Sequence, residues 1–268
     1  MSNYDVVIVG AGPAGIFAAY ELSKKNKDLK VALVDKGLDI YKRRCPILEH
    51  KIKKCPVVKN HVGCMPACSI TNGFGGAGAY SDGKFNITHE FGGWMTDYLS
   101  NTAVEDLIDY VDSINLAHGA TTDITDPTTD KVREIEKRGY AVGLKLLRAK
   151  VRHLGTEQNL EILKSIYEEM KDRVDYHFKT EVKDIIVEDN AVQGVLLANG
   201  NVMKANQVFL APGRDGSVWL KEVMKNQKIP MKNLQVDIGV RVETSDIVMQ
   251  EINEHLYEGK FMYRTSVG

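Results

Sequence analysis

The strongest constraint on what this chain folds into is a run of glycines between two short apolar segments near its N-terminus. Residues 4–9 (Tyr-Asp-Val-Val-Ile-Val) are β-branched and nearly continuous in apolar character, the pattern of a strand buried on both faces of a parallel sheet. Gly10-Ala11-Gly12-Pro13-Ala14-Gly15 follows at once. A helical pattern over 13–25 then places Ile16, Ala19, Tyr20 and Leu22 on one face, and a second apolar strand ends at Asp35. This is a complete β-α-β unit. Gly10 permits a tight turn, Gly12 lets backbone approach a pyrophosphate, and Gly15 allows the helix to pack closely on the strand. The helix N-terminus offers unpaired N–H groups and partial positive charge to phosphates. Asp35, 20 residues beyond Gly15, stands where a carboxylate accepts hydrogen bonds from ribose hydroxyls. A lone G-x-G-x-x-G is a weak signal that turn and packing glycines also satisfy; with both strands, the helix and the acid, it predicts a dinucleotide site.

Composition narrows the partners. The 268 residues, 43% hydrophobic and 26% charged, suit one large domain or two modest ones. Thirty-five basic against thirty-six acidic side chains give a net charge of -1, so bulk electrostatics recruits neither nucleic acid nor an anionic membrane. No apolar run reaches the roughly 18 residues of a membrane span, and no basic-then-apolar leader precedes Asp5. The expectation is a cytoplasmic protein acting on a small-molecule substrate or a redox partner, without membrane or nucleic acid; oligomeric state is not legible.

A Cys- and Gly-rich insertion, 41–84, interrupts the regular β-α-β repeat. It holds all four cysteines, Cys45, Cys55, Cys64 and Cys68. None forms a C-x-x-C pair, so no common zinc or ferredoxin spacing is matched. Three readings stand: a metal or cluster site converging in space, a redox-active pair such as Cys64 with Cys68, or small buried hydrophobes. Lys42, Arg43, Arg44, Lys51, Lys53 and Lys54 nearby would stabilise thiolates. The run Gly73-Phe74-Gly75-Gly76-Ala77-Gly78-Ala79-Tyr80-Ser81-Asp82-Gly83-Lys84 is glycine-dense enough to bring backbone against something flat or anionic, with Ser81, Asp82 and Lys84 as polar groups. A flexible surface loop is the alternative.

Farther along, 94–117 reads as a helix, 131–137 as a short helix, 143–152 as a strand, and 157–171 as a helix with Thr156 as N-cap. Arg148, Lys150, Arg152 and His153 form a basic cluster, read mainly as a solvated strand edge and otherwise as an anion contact. The seven histidines have no ligand spacing. Residues 174–178, 181–188, 191–198 and 201–203 read as successive strands, 207–214 as a further strand ending in a small-residue turn, and 215–225 as a helix. Residues 234–243, 246–256 and 261–267 read as strand, helix and strand.

The order of glycine motif, acidic strand end, Gly-rich segment, meander and Leu210-Ala211-Pro212-Gly213-Arg214 turn resembles the FAD-dependent oxidoreductases of the glutathione-reductase-like FAD/NAD(P)-binding superfamily. More narrowly, C-P-I at Cys45, G-F-G-G-A-G-A-Y-S-D-G-K over 73–84, R-H-L-G-T over 152–156 and L-A-P-G-R over 210–214 resemble an uncharacterised FAD-dependent dehydrogenase family of bacteria and archaea. The resemblance implies an α/β fold: a Rossmann-like three-layer FAD-binding domain with an inserted, incomplete α+β substrate domain. Its parts would be 1–90 and 153–225 for FAD, 91–152 for a substrate or cap segment, and 226–268 for the start of a substrate domain. It implies that Gly10, Gly12, Ala14 and Gly15 hold the pyrophosphate and Asp35 the adenosine ribose, with Pro13 and Lys36 counted in the cofactor-binding set. Val182 would meet adenine through its backbone; Gly75, Gly76, Gly78, Ser81 and Asp82 would lie along the pyrophosphate and ribityl; Ala211, Gly213 and Arg214 would line a second turn. The stretch 62–66 echoes the redox loop of disulfide reductases, but position 59 is Lys where that loop has its partner thiol. The superfamily's late Gly-rich closing turn does not follow Arg214, so the chain reads as C-terminally truncated. The implied function is two-electron transfer between an unknown substrate and a second redox partner through FAD, with NAD(P)H a candidate donor and no catalytic residue assigned. The competing readings are a flavin enzyme of RNA modification or isoprenoid reduction, and a non-catalytic nucleotide-binding or redox-sensing module.

Overall fold

In the computed structural model, residues 3–58, 61–233 and 236–265 are described. The elements in chain order begin with β1 (Asn3–Val9), α1 (Pro13–Lys25), β2 (Val31–Val34), β3 (Val57–Val58), β4 (His61–Val62), β5 (Lys84–Ile87), α2 (Asn101–Ala117) and α3 (Asp130–Ala141). They continue with β6 (Leu144–Leu146), β7 (Lys150–His153), α4 (Gly155–Met170), β8 (Val174–His177), β9 (Val182–Glu188), β10 (Ala191–Leu197), β11 (Val202–Leu210), α5 (Ser217–Asn226), α6 (Asp246–Asn253) and β12 (Phe261–Tyr263). The chain divides into two compact units, Met1–Gly83 with Thr156–Asn233, and Lys84–Gly155 with Leu234–Gly268.

The first unit is built on a six-stranded sheet of order β8-β2-β1-β11-β10-β9. Its four strands β8, β2, β1 and β11 run parallel, and β10 and β9 continue it antiparallel. All four residues of β2 are buried, as a central parallel strand requires. One sheet face carries Val7, Val9, Ala32, Val34, Val195, Leu197 and Met203 in a single core, with Ile185, Leu210 and Trp219 packed against it. Two expectations change here. Residues 174–178 do not open the meander: β8 pairs parallel with β2, from Val31↔Val174 to Val34↔His177. The segments 201–203 and 207–210 are one nine-residue strand, β11, whose start pairs antiparallel with β10 and whose remainder pairs parallel with β1. The outward Lys204 and Asn206 interrupt its apolar pattern without interrupting its ladder.

The second unit contains two antiparallel strand pairs, β5 with β7 and β6 with β12. A core of Val132, Ile135, Leu146 and Leu256, with Ile252 and Phe261 against it, ties α3 to the second pair. Ser100 Oγ accepts from Ala103 N at 3.2 Å, and Thr129 Oγ1 from Val132 N at 3.3 Å, so α2 and α3 both start on a hydroxyl cap. The basic cluster over 148–153 divides: Lys150 and His153 are exposed at the two ends of β7, as a solvated edge requires, whereas Arg148 and Arg152 are taken up by carboxylates. Arg152 is 5% exposed and grips Asp112 through two bonds of 2.8 and 2.7 Å, Arg148 pairs with Glu136, and His153 lies against Tyr257. Asp112→Ala leaves that guanidinium buried without its carboxylate and is expected to cost about 3–5 kcal/mol, read as a lower denaturation midpoint. The strand expected over 234–243 is not formed among its described residues: 236–243 are irregular, with Val236, Ile238, Val240 and Val242 all exposed. Their alternation has strand period, but no neighbouring strand satisfies its backbone.

Candidate functional site

The loop leaving β1 is closed by backbone at Gly10 and Gly15 and open at Gly12. Gly10 has φ 103°, and a Cβ there would sit 2.1 Å from Ala211 O, so only glycine lets this turn pass the end of β11. At Gly15 a Cβ would meet Gly10 O at 1.8 Å and Ile8 Cγ2 at 3.3 Å, which is the close approach of α1 to β1. Gly12 differs from both. Its φ is an ordinary -77°, and the Cβ it lacks would have no atom within 4 Å. Packing therefore does not demand a glycine at this position, and the space its missing side chain leaves is open beside the α1 N-terminus, where Pro13 and Ala14 are exposed.

Asp35 ends β2 and gathers the surrounding loops. Its Oδ2 accepts from Ala11 N at 2.9 Å, and its Oδ1 from Gly37 N at 2.7 Å and Gly73 N at 2.9 Å. About four acceptor positions exist on a carboxylate, so one remains on Oδ2. The Gly-rich segment comes to the same place: Gly75 N donates to Ala11 O at 2.8 Å, and a Cβ on Gly76 would lie 3.0 Å from Gly12 Cα. Gly78 lies against Pro13, and its carbonyl accepts from Asn159 Nδ2 at 2.7 Å. Ser81 spends its hydroxyl on the loop, donating to Gly78 O and accepting from Gly83 N, while Asp82 is exposed. Thr156 lies inside α4 and is not its N-cap; its hydroxyl donates to Ser81 O at 2.9 Å.

A cleft of about 80 Å³ opens at the C-terminal ends of β1 and β2, lined by Asp35, Lys36, Val182, Pro212, Asp215 and Trp219 among others. This is where ligands of open α/β sheets bind. Lys36 Nζ pairs with Asp215 Oδ2 at 2.5 Å, and Trp219 is anchored by Nε1 to Lys183 O at 2.9 Å. Ala211 joins the loop through its amide, bonded to Val9 O at 2.7 Å. Gly213 and Arg214 are exposed and do not line the cleft; Pro212, Asp215 and Gly216 line it in their place. Sequence reasoning missed Trp219 and Asp215 because their roles depend on where α5 lands.

It also misread Arg43, which is 4% exposed and donates to the carbonyls of Ser69, Ile70, Phe74 and Gly76 at 2.6–2.9 Å. Burial pulls its guanidinium pKa below the ordinary value, and its charge is offset by these carbonyl dipoles. Tyr80 returns the contact, donating to Arg43 O at 2.6 Å. Lys42 pairs with Asp39, and Arg44 and Lys51 with Glu49.

The four cysteines line one pocket of about 360 Å³, and none is in a disulfide. Burial, followed by the neighbouring thiols of Cys68, Cys45 and Cys55, raises the pKa of Cys64 above its usual range, the opposite of what the basic run suggests for that thiol. A raised pKa leaves less thiolate at a given pH, so alkylation of chelator-treated protein at pH 8 is expected to be fastest at exposed Cys55 and slowest at Cys64, as mass spectrometry of the labelled peptides would read. Among the described residues, no three His, Cys, Asp or Glu side chains are placed to hold a single metal ion. Lys59, the position decisive for the disulfide-reductase echo, lies outside the described residues.

The second unit has its own cavity of about 560 Å³, walled by Phe85, Ile87, Phe91, Val104, Leu107 and Val111 among others. Asn86 Oδ1 and Asn115 Nδ2, on residues lining it, are buried without a hydrogen-bond partner. No helix among the described residues is long and apolar enough to cross a membrane.

The Thi4 family model matches residues 1–40, which span β1, α1, β2 and Asp35. An uncharacterized protein of Clostridium beijerinckii is 25% identical over 240 residues, 88% of this chain and 36% of that protein. A thiamine thiazole synthase of Phaeosphaeria nodorum is 56% identical over 34 residues, 13% of this chain and 10% of the enzyme. Among solved structures, L-amino acid deaminase from Proteus vulgaris superposes with a TM-score of 0.47 at 17% identity, over 85% of this chain and 50% of that one. The chain thus spans about a third of the Clostridium protein and half of the deaminase.

Proposed function

We propose that this chain carries the FAD-binding portion of a flavin-dependent oxidoreductase acting on a small molecule. The observation that carries the reading is the contrast between three glycines of one turn: Gly10 and Gly15 are demanded by protein backbone, whereas Gly12 leaves open space at the N-terminus of α1. A pyrophosphate there would meet the unpaired amides of the first helical turn and its partial positive charge. Asp35 keeps one acceptor position for a ribose hydroxyl, and Val182, Pro212 and Trp219 border a cleft suited to adenine, which favours FAD over FMN. Gly75 and Gly76, held to the first loop by Asp35 and Arg43, extend the cradle; Gly213 and Arg214 are assigned no contact.

Bound there, FAD supplies two-electron redox chemistry, and the protein supplies position and electrostatics. The substrate is assigned to the apolar cavity of the second unit, where Asn86 and Asn115 offer an acceptor and a donor. NAD(P)H is the proposed electron donor.

The test is purification with supplementary FAD. Yellow protein that releases FAD on denaturation and is bleached by NADH or NADPH under anaerobic conditions supports the reading. Folded, colourless protein overturns it.

A further inference from the structure

We propose that the pocket ringed by Cys45, Cys55, Cys64 and Cys68 holds an iron–sulfur cluster on four cysteine thiolates. Every cysteine of the chain reaches this one pocket, from positions separated by 10, 9 and 4 residues, and the remaining wall is largely apolar, including Ile47, Leu48 and Ile70. Four soft donors gathered in apolar surroundings and left without disulfides are an unusual use of a small cysteine complement.

The pocket has room for a polynuclear occupant. A single zinc ion holds its thiolates at about 2.3 Å from the metal, which brings the four sulfurs into mutual contact. No three donors among the described residues are placed that way, and the thiols instead border a space of about 360 Å³. A polynuclear iron–sulfur core fills space between its cysteines and holds them farther apart. When an assembled core is taken up, each thiol gives its proton to solvent as its S–Fe bond forms, and the oxidation states of the irons are unchanged.

Charge points the same way. Across residues 41–72 the sequence has seven Lys and Arg but one carboxylate, Glu49, in a protein whose net charge is -1. A four-thiolate cluster is anionic, and with Lys42, Arg44 and Lys51 already paired to Asp39 and Glu49 the stretch still keeps an excess of basic side chains. The frame is also fixed: Arg43 holds the carbonyls of Ser69 and Ile70, and Cys68 O accepts from the amides of Thr71 and Asn72. Ligand positions at both ends of the segment are therefore set by the hydrogen bonds that shape the Gly-rich loop.

The chain purified without oxygen, and the same protein treated with equal amounts of ferrous and ferric iron and with sulfide, would be assayed for iron, zinc and acid-labile sulfide and by electron paramagnetic resonance after reduction. The expected result is about four irons and about four sulfides per chain, as a cubane on four cysteines requires. Cys64→Ala and Cys68→Ala are each expected to lose more than about nine-tenths of the bound iron, with far-ultraviolet circular dichroism unchanged; Cys55→Ser serves if either fails to fold. Zinc without sulfide, or four freely titrating thiols after reconstitution, overturns the proposal, as does full iron retention by the variants. The readout needs no flavin, so colourless-to-flavin protein that holds iron and sulfide removes the FAD reading and keeps this one.

Discussion

Replacing Arg43 with methionine is expected to lower the stability of the first unit by about 3–5 kcal/mol. The guanidinium is buried and serves four carbonyls, those of Ser69, Ile70, Phe74 and Gly76. Hydrogen bonds to a charged group contribute about 1.5–3 kcal/mol each, and a carbonyl left dry costs about 1–3 kcal/mol, partly recovered where water enters. Methionine matches the length of the stem but donates nothing. Arg43→Lys is expected to recover little, because an ammonium lacks the planar fork that reaches carbonyls on two sides. Because Gly76 lies against Gly12, the variant should also weaken nucleotide binding in whatever fraction remains folded. A denaturant midpoint within about 1 kcal/mol of wild type would show that the loop does not depend on this residue.

The second large effect is expected at Gly10. Alanine there must adopt φ near 103°, a region that costs a side chain about 1–3 kcal/mol, and its Cβ must also displace Ala211 O from 2.1 Å. That oxygen belongs to the residue whose amide bonds Val9 O, so relief requires β11 to separate from the end of β1. The summed cost is expected to exceed about 4 kcal/mol, enough to deplete soluble protein from cells. Soluble Gly10→Ala protein with wild-type stability would contradict the observed crossing of the two turns.

The difference between what the sequence predicted and what it missed follows the range of the interactions. The β1-α1-β2 unit was legible because strand period, helix period and glycine spacing are local. Val182, which lines the cleft, enters the sequence reading through resemblance alone, since the strand pattern of β9 does not say which sheet it joins. The parallel pairing of β8 with β2 was not, because Val174 to His177 resembles any short strand until its neighbour is known. Nor was the unity of β11, whose exposed Lys204 and Asn206 imitate a break. Arg43 is one of three consecutive basic residues, and only the fold shows which of them turns inward. The strand pattern places Asp35 at the end of β2 but not its three bonds to Ala11, Gly37 and Gly73, since side-chain bonds to distant amides leave no pattern in sequence.

On the proposed function, Gly12 is kept small for a ligand and not for the fold. FAD titration of Gly12→Ala against wild type, alongside the thermal stability of both apoproteins, tests it most directly. Because the added Cβ would meet no atom within 4 Å beyond its chain neighbours, the expected cost to the apoprotein is only that of alanine as the N-cap of α1, about 1 kcal/mol. FAD affinity is expected to fall at least about tenfold, or about 1.4 kcal/mol. Equal FAD affinity in the two proteins, or folded wild-type protein that binds no FAD, would contradict it.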